Sequence, residues 1–218
     1  DTIDIVYTHN TIGAERNVSS GTLSVEDLSS IVQVFESAVA SGKLQYWGFN
    51  GLGQTDSVKE ALRRYSPSGI HTCYNMLNPT SGYGLPKTFP YQNYEELMTL
   101  ASEDGIGTVG IRILAGGALS GSLDRHPIAQ QNVAPIATSS TFREDVSRTP
   151  VFEVLVKEGF VNNLVEASVR FAISNDNLDT ALIGLSNFDQ LKQAVDYANK
   201  GSLPQEALDK IKEIWAVS

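Results

Sequence analysis

The chain has 218 residues, 41% hydrophobic and 19% charged, which is the composition of an ordinary globular protein with material for a sizeable core. A formal net charge of −9 argues against a nucleic-acid surface or an anionic membrane as partner. A single cysteine, Cys73, excludes an internal disulfide framework and fits a reducing, cytoplasmic setting, and the sequence shows neither an apolar run near the ~18–20 residues of a membrane span nor a signal-peptide pattern.

In chain order, Ile3–Thr8 reads as a buried strand ending at His9, followed by a polar loop from Asn10 to about Leu23. Ser24-Val25-Glu26-Asp27 resembles a capping box, and Leu28, Ile31, Val32, Phe35, Ala38 and Val39 recur at helical spacing. A helix is therefore predicted over Ser24–Ser41, stopped by Gly42. Leu44–Phe49 is the next strand, closed by Asn50-Gly51-Leu52-Gly53, and a helix spans about Ser57 to Tyr65. Ile70–Asn75 is a third strand, Asn78–Pro90 a long Pro/Gly-rich loop, and Tyr94–Ser102 a helix. Thr108–Ile113 is a fourth strand. It runs into Ala115-Gly116-Gly117-Ala118, small residues that suit a tight turn and the close approach of a ligand; a plain strand-to-turn junction is the alternative.

A polar segment from Gly121 to about Pro150 contains Asp124-Arg125-His126-Pro127. Helices follow at Val151–Lys157 and Asn163–Ser174, the second apolar nearly all round. Ala181–Gly184 is a fifth strand, and Asn187–Asn199 and Pro204–Val217 are closing helices, the last opened by proline where its missing N–H costs least. Strand and helix alternate about five times, which predicts one α/β domain over 1–218 with parallel strands and right-handed crossovers. Periodicity alone does not separate an open sheet from a closed barrel.

Five segments carry a resemblance: Asp4–His9, Tyr46–Gly51, Tyr74–Pro79, Leu114–Gly121 and Gly184–Gln190. In order and spacing they resemble the aldo-keto reductases, and the match covers essentially the whole chain. The resemblance implies a (β/α)8 TIM-barrel type of fold, incomplete in this chain, whose five strands look like strands four to eight. It also implies a nicotinamide cofactor, NADPH with NADH as the alternative, and reduction of an aldehyde or ketone or oxidation of the alcohol. The family's catalytic tyrosine, aspartate and lysine lie on its first three strands, which have no counterpart here. Tyr7, Tyr46, Tyr74 and Tyr83 occupy no matching position. A second reading therefore stands beside the first: a truncated, reductase-derived protein without redox activity, acting as a binding module or an acid–base catalyst such as a dehydratase or cyclase.

By the same resemblance His9 is the active-site histidine that orients the substrate carbonyl; a structural histidine at a strand end is the other reading. His71 falls where the family has a glutamine holding the nicotinamide amide, and it reads equally as a satisfied core histidine. Asn50 replaces a serine or threonine that grips the carboxamide, or is simply a turn asparagine. Ile111 stands where relatives stack an aromatic ring. Beside it, Arg112 suits a cofactor phosphate, a substrate carboxylate or a structural ion pair. Leu114 and Gly116 belong to one cofactor loop. Gly184, Ser186, Asn187 and Gln190 belong to the region receiving the adenosine 2′-phosphate, where serine and asparagine are also good helix caps. His126 is expected to be solvated, and no metal site is expected. Five parallel strands do not close a barrel that needs eight, so Ile3–Thr8 and Ala181–Gly184 are expected to be open edges. An N-terminal barrel segment, a homo-oligomer or a rearranged sheet would cover them. Substrate choice among small-molecule carbonyl compounds falls to Asn10–Leu23, Asn78–Pro90 and Ser122–Pro150.

Overall fold

In the computed structural model, which describes residues 1–86 and 88–216, β1 (Ile3–Tyr7) leads into β2 (Ile12–Gly13) and β3 (Leu23–Ser24). These two short strands pair in parallel within the segment expected to be only loop. Then come α1 (Leu28–Ala40), β4 (Leu44–Asn50), α2 (Thr55–Tyr65), β5 (Gly69–Cys73), α3 (Leu97–Glu103) and β6 (Gly107–Ile111). After a 3-10 stretch at Ala115–Ser120 follow α4 (Phe142–Ser147), a 3-10 turn at Thr149–Glu153, α5 (Val154–Lys157), α6 (Leu164–Ala172), β7 (Thr180–Ala181), α7 (Phe188–Ala198) and α8 (Gln205–Ala216). The expected end of the last helix at Val217 lies outside the described residues.

Three differences from the sequence reading have local causes. Ser24 and Asp27 do exchange reciprocal hydrogen bonds: the Ser24 N–H and hydroxyl donate to the Asp27 carboxylate at 2.9 and 3.0 Å, and the Asp27 N–H donates to Ser24 Oγ at 3.2 Å. The backbone between them is a turn, however, so α1 begins only at Leu28. Within the segment read as polar loop up to Pro150, α4 forms behind a true capping box of Thr141 and Glu144. The fifth strand is two residues long rather than Ala181–Gly184. Leu182 still donates its N–H to the Gly110 carbonyl at 2.8 Å, and the chain then leaves the sheet.

The five long-range strands form one parallel, curled sheet in the order β1-β4-β5-β6-β7, so β1 and β7 are its edges. Its register aligns Tyr7, Gly48, Gly69 and Gly107 in a row across four strands. Alternation then sends Trp47, Phe49 and Ile70 to the opposite face. There they pack with Leu28, Leu62 and Leu97 of α1, α2 and α3 into one core. A second core gathers Met76, Leu119, Phe152, Leu164, Phe171, Ile211 and Trp215 from the loop after β5, the 3-10 stretch, the 3-10 turn, α6 and α8. The two tryptophans are divided between them: Trp47 Nε1 donates to the Glu36 carboxylate at 2.7 Å and Trp215 Nε1 to the Met76 carbonyl at 2.8 Å.

Inside α6, Glu166 is buried rather than part of an all-apolar surface, taking Lys200 at 2.8 Å, Arg170 at 3.2 Å and Asn162 Nδ2 at 2.8 Å. Burial alone would raise its pKa, but the Lys200, Asn162 and Arg170 donors together hold it below the ordinary carboxylate value. The concave face toward β1 remains open, with Ile3 58%, Ile5 40% and Tyr46 56% exposed. Phe188, Leu191 and Val195 of α7, at i, i+3 and i+7, are exposed as well, and no α7 side chain is buried.

Candidate functional site

The strand ends on the concave face carry the first group of residues. His9 follows β1 with its side chain exposed, and its carbonyl accepts from Asn50 Nδ2 at 2.8 Å. The Oδ1 of Asn50 accepts from the Leu52 N–H at 3.2 Å, so this buried amide ties the end of β1 to the end of β4 by both of its polar ends. One row deeper, the Tyr7 ring lies over the glycines of β4 and β5. A Cβ on Gly69 would stand 2.5 Å from the Tyr7 hydroxyl, and one on Gly48 2.6 Å from Tyr7 Cδ1. The same ring stacks on His71, with centroids 4.0 Å apart and planes 25° apart. Burial, and then the nearby charge of His9, push the His71 pKa down, so His71 is a neutral donor–acceptor near neutral pH. Burial pushes the Tyr7 phenol up, which keeps it protonated. The Cys73 thiol is fully buried and pushed up to about 12, so it is no nucleophile.

The second group forms where β6 ends. The Ile111 carbonyl accepts from the Tyr74 N–H at 3.2 Å. Arg112 adopts φ 60°, with its carbonyl taking Asn75 Nδ2 at 3.0 Å and the Ala115 N–H at 2.7 Å. Gly116 and Gly117 follow at φ 68° and 104°, left-handed conformations that favour glycine. From the long segment beyond, Arg125 reaches back, donating Nη1 to the Gly116 carbonyl at 2.7 Å and Nε to the Gln130 carbonyl at 2.8 Å, with its guanidinium 5.0 Å from the Phe142 ring centroid. That segment is anchored by Asp145, which accepts from Thr138 Oγ1 at 2.6 Å and the Ser139 N–H at 2.9 Å, and by Arg148, 4.1 Å over the Tyr91 ring.

Between this turn and the chain leaving β7 lies a cleft of about 530 Å³. It brings together the predicted residues Arg112, Leu114, Gly116, Gly184, Ser186 and Gln190, with Val133, Phe142, Val165 and Ile183 among its apolar walls. Neither Arg112 nor Arg125 is in an ion pair among the described residues. Gly184 leaves open space, since a Cβ there would meet no atom within 4 Å. Of the other predicted residues, Asn187 caps α7, its Oδ1 accepting from the Gln190 N–H at 2.9 Å, while His9, Asn50, His71 and Ile111 do not line the cleft. His126 is exposed at its rim. Arg125, Gln193 and Phe142 escaped the sequence reading. Asp124-Arg125-His126-Pro127 stands out within the polar segment, but nothing in its spacing shows that Arg125 folds back onto Gly116.

Among the described residues no cluster of three or more metal-ligating side chains occurs, and no helix is long and apolar enough to cross a membrane. The model of the Aldo/keto reductase family matches residues 1–216. Two solved structures of an aldo-keto reductase from Bacillus halodurans, in holo and apo form, superpose with a TM-score of 0.63 at 20% identity, which shows likeness of fold. The alignments cover 98% of this chain and 61% and 62% of those chains, so the chain spans less than two thirds of their length. No curated protein matches.

Proposed function

We propose that this chain, which belongs to the aldo/keto reductase family, forms the cofactor-binding side of a nicotinamide dinucleotide-dependent oxidoreductase that interconverts an aldehyde or ketone with its alcohol. One observation carries the reading. Two guanidiniums that make no ion pair among the described residues, Arg112 and Arg125, face a cleft walled by the side-chain-free backbone of Gly116, Gly117 and Gly184. Such a cradle suits a diphosphate, because a guanidinium offers paired donors and glycine lets the ligand reach the main chain. About 530 Å³ is room for one mononucleotide half of the molecule, with the other half on the open concave face.

A bound nicotinamide supplies or accepts the hydride. The chain's own residues hold and orient. Arg112 and Arg125 bind the diphosphate, and Leu114 and Ile183 wall it off from water. His71, kept neutral, can both donate to and accept from a carboxamide. His9 presents an exposed imidazole at the strand end, where its N–H can meet a carbonyl oxygen gaining negative charge. The free edges β1 and β7 and the apolar concave face suit a barrel-completing segment in preference to a second copy.

The test is a thermal melt of the purified protein with NADH and with NADPH. A dinucleotide that binds only the folded state raises Tm, and Arg112→Gln with Arg125→Gln removes the rise. No rise with either dinucleotide at millimolar concentration would refute the reading.

A further inference from the structure

The cleft is not electrically uniform along its length. Its basic residues, Arg112, Arg125 and His126, all lie on the side built by β6 and the segment before α4, where one carboxylate, Asp124, also lines it. The other end, where the chain passes from β7 into α7, is lined by Leu185, Ser186, Gln190, Gln193 and Ala194, and none of these is a cation. Arg112 sits at the end of β6, the strand next to β5, which carries His71. A dinucleotide with its nicotinamide toward the concave face therefore lays its diphosphate at the arginines and its adenosine against α7.

The α7 end is poorly made for a further phosphate. The donors an anion would seek at a helix start are partly consumed: the Ser186 N–H goes to Gln190 Oε1 at 2.7 Å and the Gln190 N–H to Asn187 Oδ1 at 2.9 Å. The first turn of α7 already carries a carboxylate, Asp189, which takes the favourable side of the helix dipole and repels a second anion. Lys192 is exposed and does not line the cleft. Neutral amide and hydroxyl groups suit a ribose with free hydroxyls, whereas a 2′-phosphate calls for a cation.

Resting on the cofactor reading above, we infer that this cleft takes the dinucleotide without a 2′-phosphate, NADH or NAD⁺, and discriminates against the 2′-phosphorylated form. The experiment is equilibrium binding of NADH and NADPH to the protein by calorimetry at one fixed ionic strength. NADH is expected to bind at least about tenfold more tightly, the scale set by leaving a charged group without its hydrogen-bonding partner. Gln193→Arg, an exposed position facing the α7 end, should tighten NADPH by a similar factor and narrow the ratio. NADPH binding as tightly as NADH, or tighter, overturns the inference and leaves the cofactor reading intact. A ratio unmoved by Gln193→Arg also overturns it, because the adenosine then does not lie against α7. Failure of both dinucleotides to bind overturns the cofactor reading and the inference with it.

Discussion

Replacing Gly48 by alanine tests the packing on which the concave face depends. A methyl group there would fall 2.6 Å from Tyr7 Cδ1 and well inside contact with the Gly69 carbonyl oxygen, where an ordinary approach is 3.4 Å or more. The ring can swing, but the carbonyl belongs to the neighbouring strand, and Gly48 pairs directly with Gly69 in the β4–β5 ladder. Overpacking of this kind costs about 1–3 kcal/mol, and a weakened ladder hydrogen bond adds about 1 kcal/mol. For a chain of this size each kcal/mol lowers Tm by roughly 2–4 °C, so Gly48→Ala should melt about 5–15 °C below the wild type by circular dichroism. The displaced Tyr7 ring should also leave His71, whose pKa, read by NMR titration, should move back up toward 6.5. A variant that melts within about 1 °C of the wild type, with His71 unmoved, would show that the glycine row does not seat the ring.

Gly184→Ala makes the opposite contrast: with no atom within 4 Å of the added methyl, Tm should hold, while dinucleotide affinity falls because the methyl enters the cleft; unchanged affinity in a calorimetric titration would place the ligand elsewhere. Glu166→Gln should cost about 3 kcal/mol in urea unfolding at pH 7, the scale for stranding the partners of a buried ion pair. Because the folded Glu166 pKa lies below its ordinary 4.5, its contribution is fully present above that pH and is lost as pH falls through the lowered value. The variant should therefore lose less stability than the wild type on acidification, and parallel pH profiles would contradict the assignment. In a preparation that reduces aldehydes, His9→Ala should lower kcat/KM by about 10²-fold with little change in Tm, since the side chain is exposed. An unchanged rate would leave His9 only its backbone contact with Asn50.

The amphipathic stripe of α1 and the β-branched and aromatic runs of the strands were legible because each is a local pattern of one period. The two-residue strands β2 and β3 carry too little pattern to be seen. Leu182 and Ile183 look like strand, yet they line the cleft after the sheet has ended. The helix α4 was legible in principle through Thr141 and Glu144, but the surrounding polar residues hid it. At the site, the loops after β6 and β7 converge because those strands are neighbours, and strand order follows from alternation of strand and helix. The stacking of Tyr7 on His71 depends on register, and the engagement of Asn50 by backbone depends on where two strands end together. Neither is written in the spacing of one segment.

The division of the interior into two clusters bears on how the molecule comes apart. One core draws its residues from Ile12 to Ile106 and the other from Tyr74 to Trp215, and α3 joins them, giving Leu97 and Ala101 to the first and Met98 to the second. The interior therefore has two apolar halves, each with its own reservoir, coupled through α3. Nature has also placed one indole in each, Trp47 in the first and Trp215 in the second. Replacing either indole by phenylalanine leaves a single emitter, so fluorescence from the two variants follows the two halves independently. Coincident transitions would mean that α3 transmits strain from one reservoir to the other; separated transitions would mean that the cleft after β6, built on the Trp215 side, can loosen while the His9 strand stays folded.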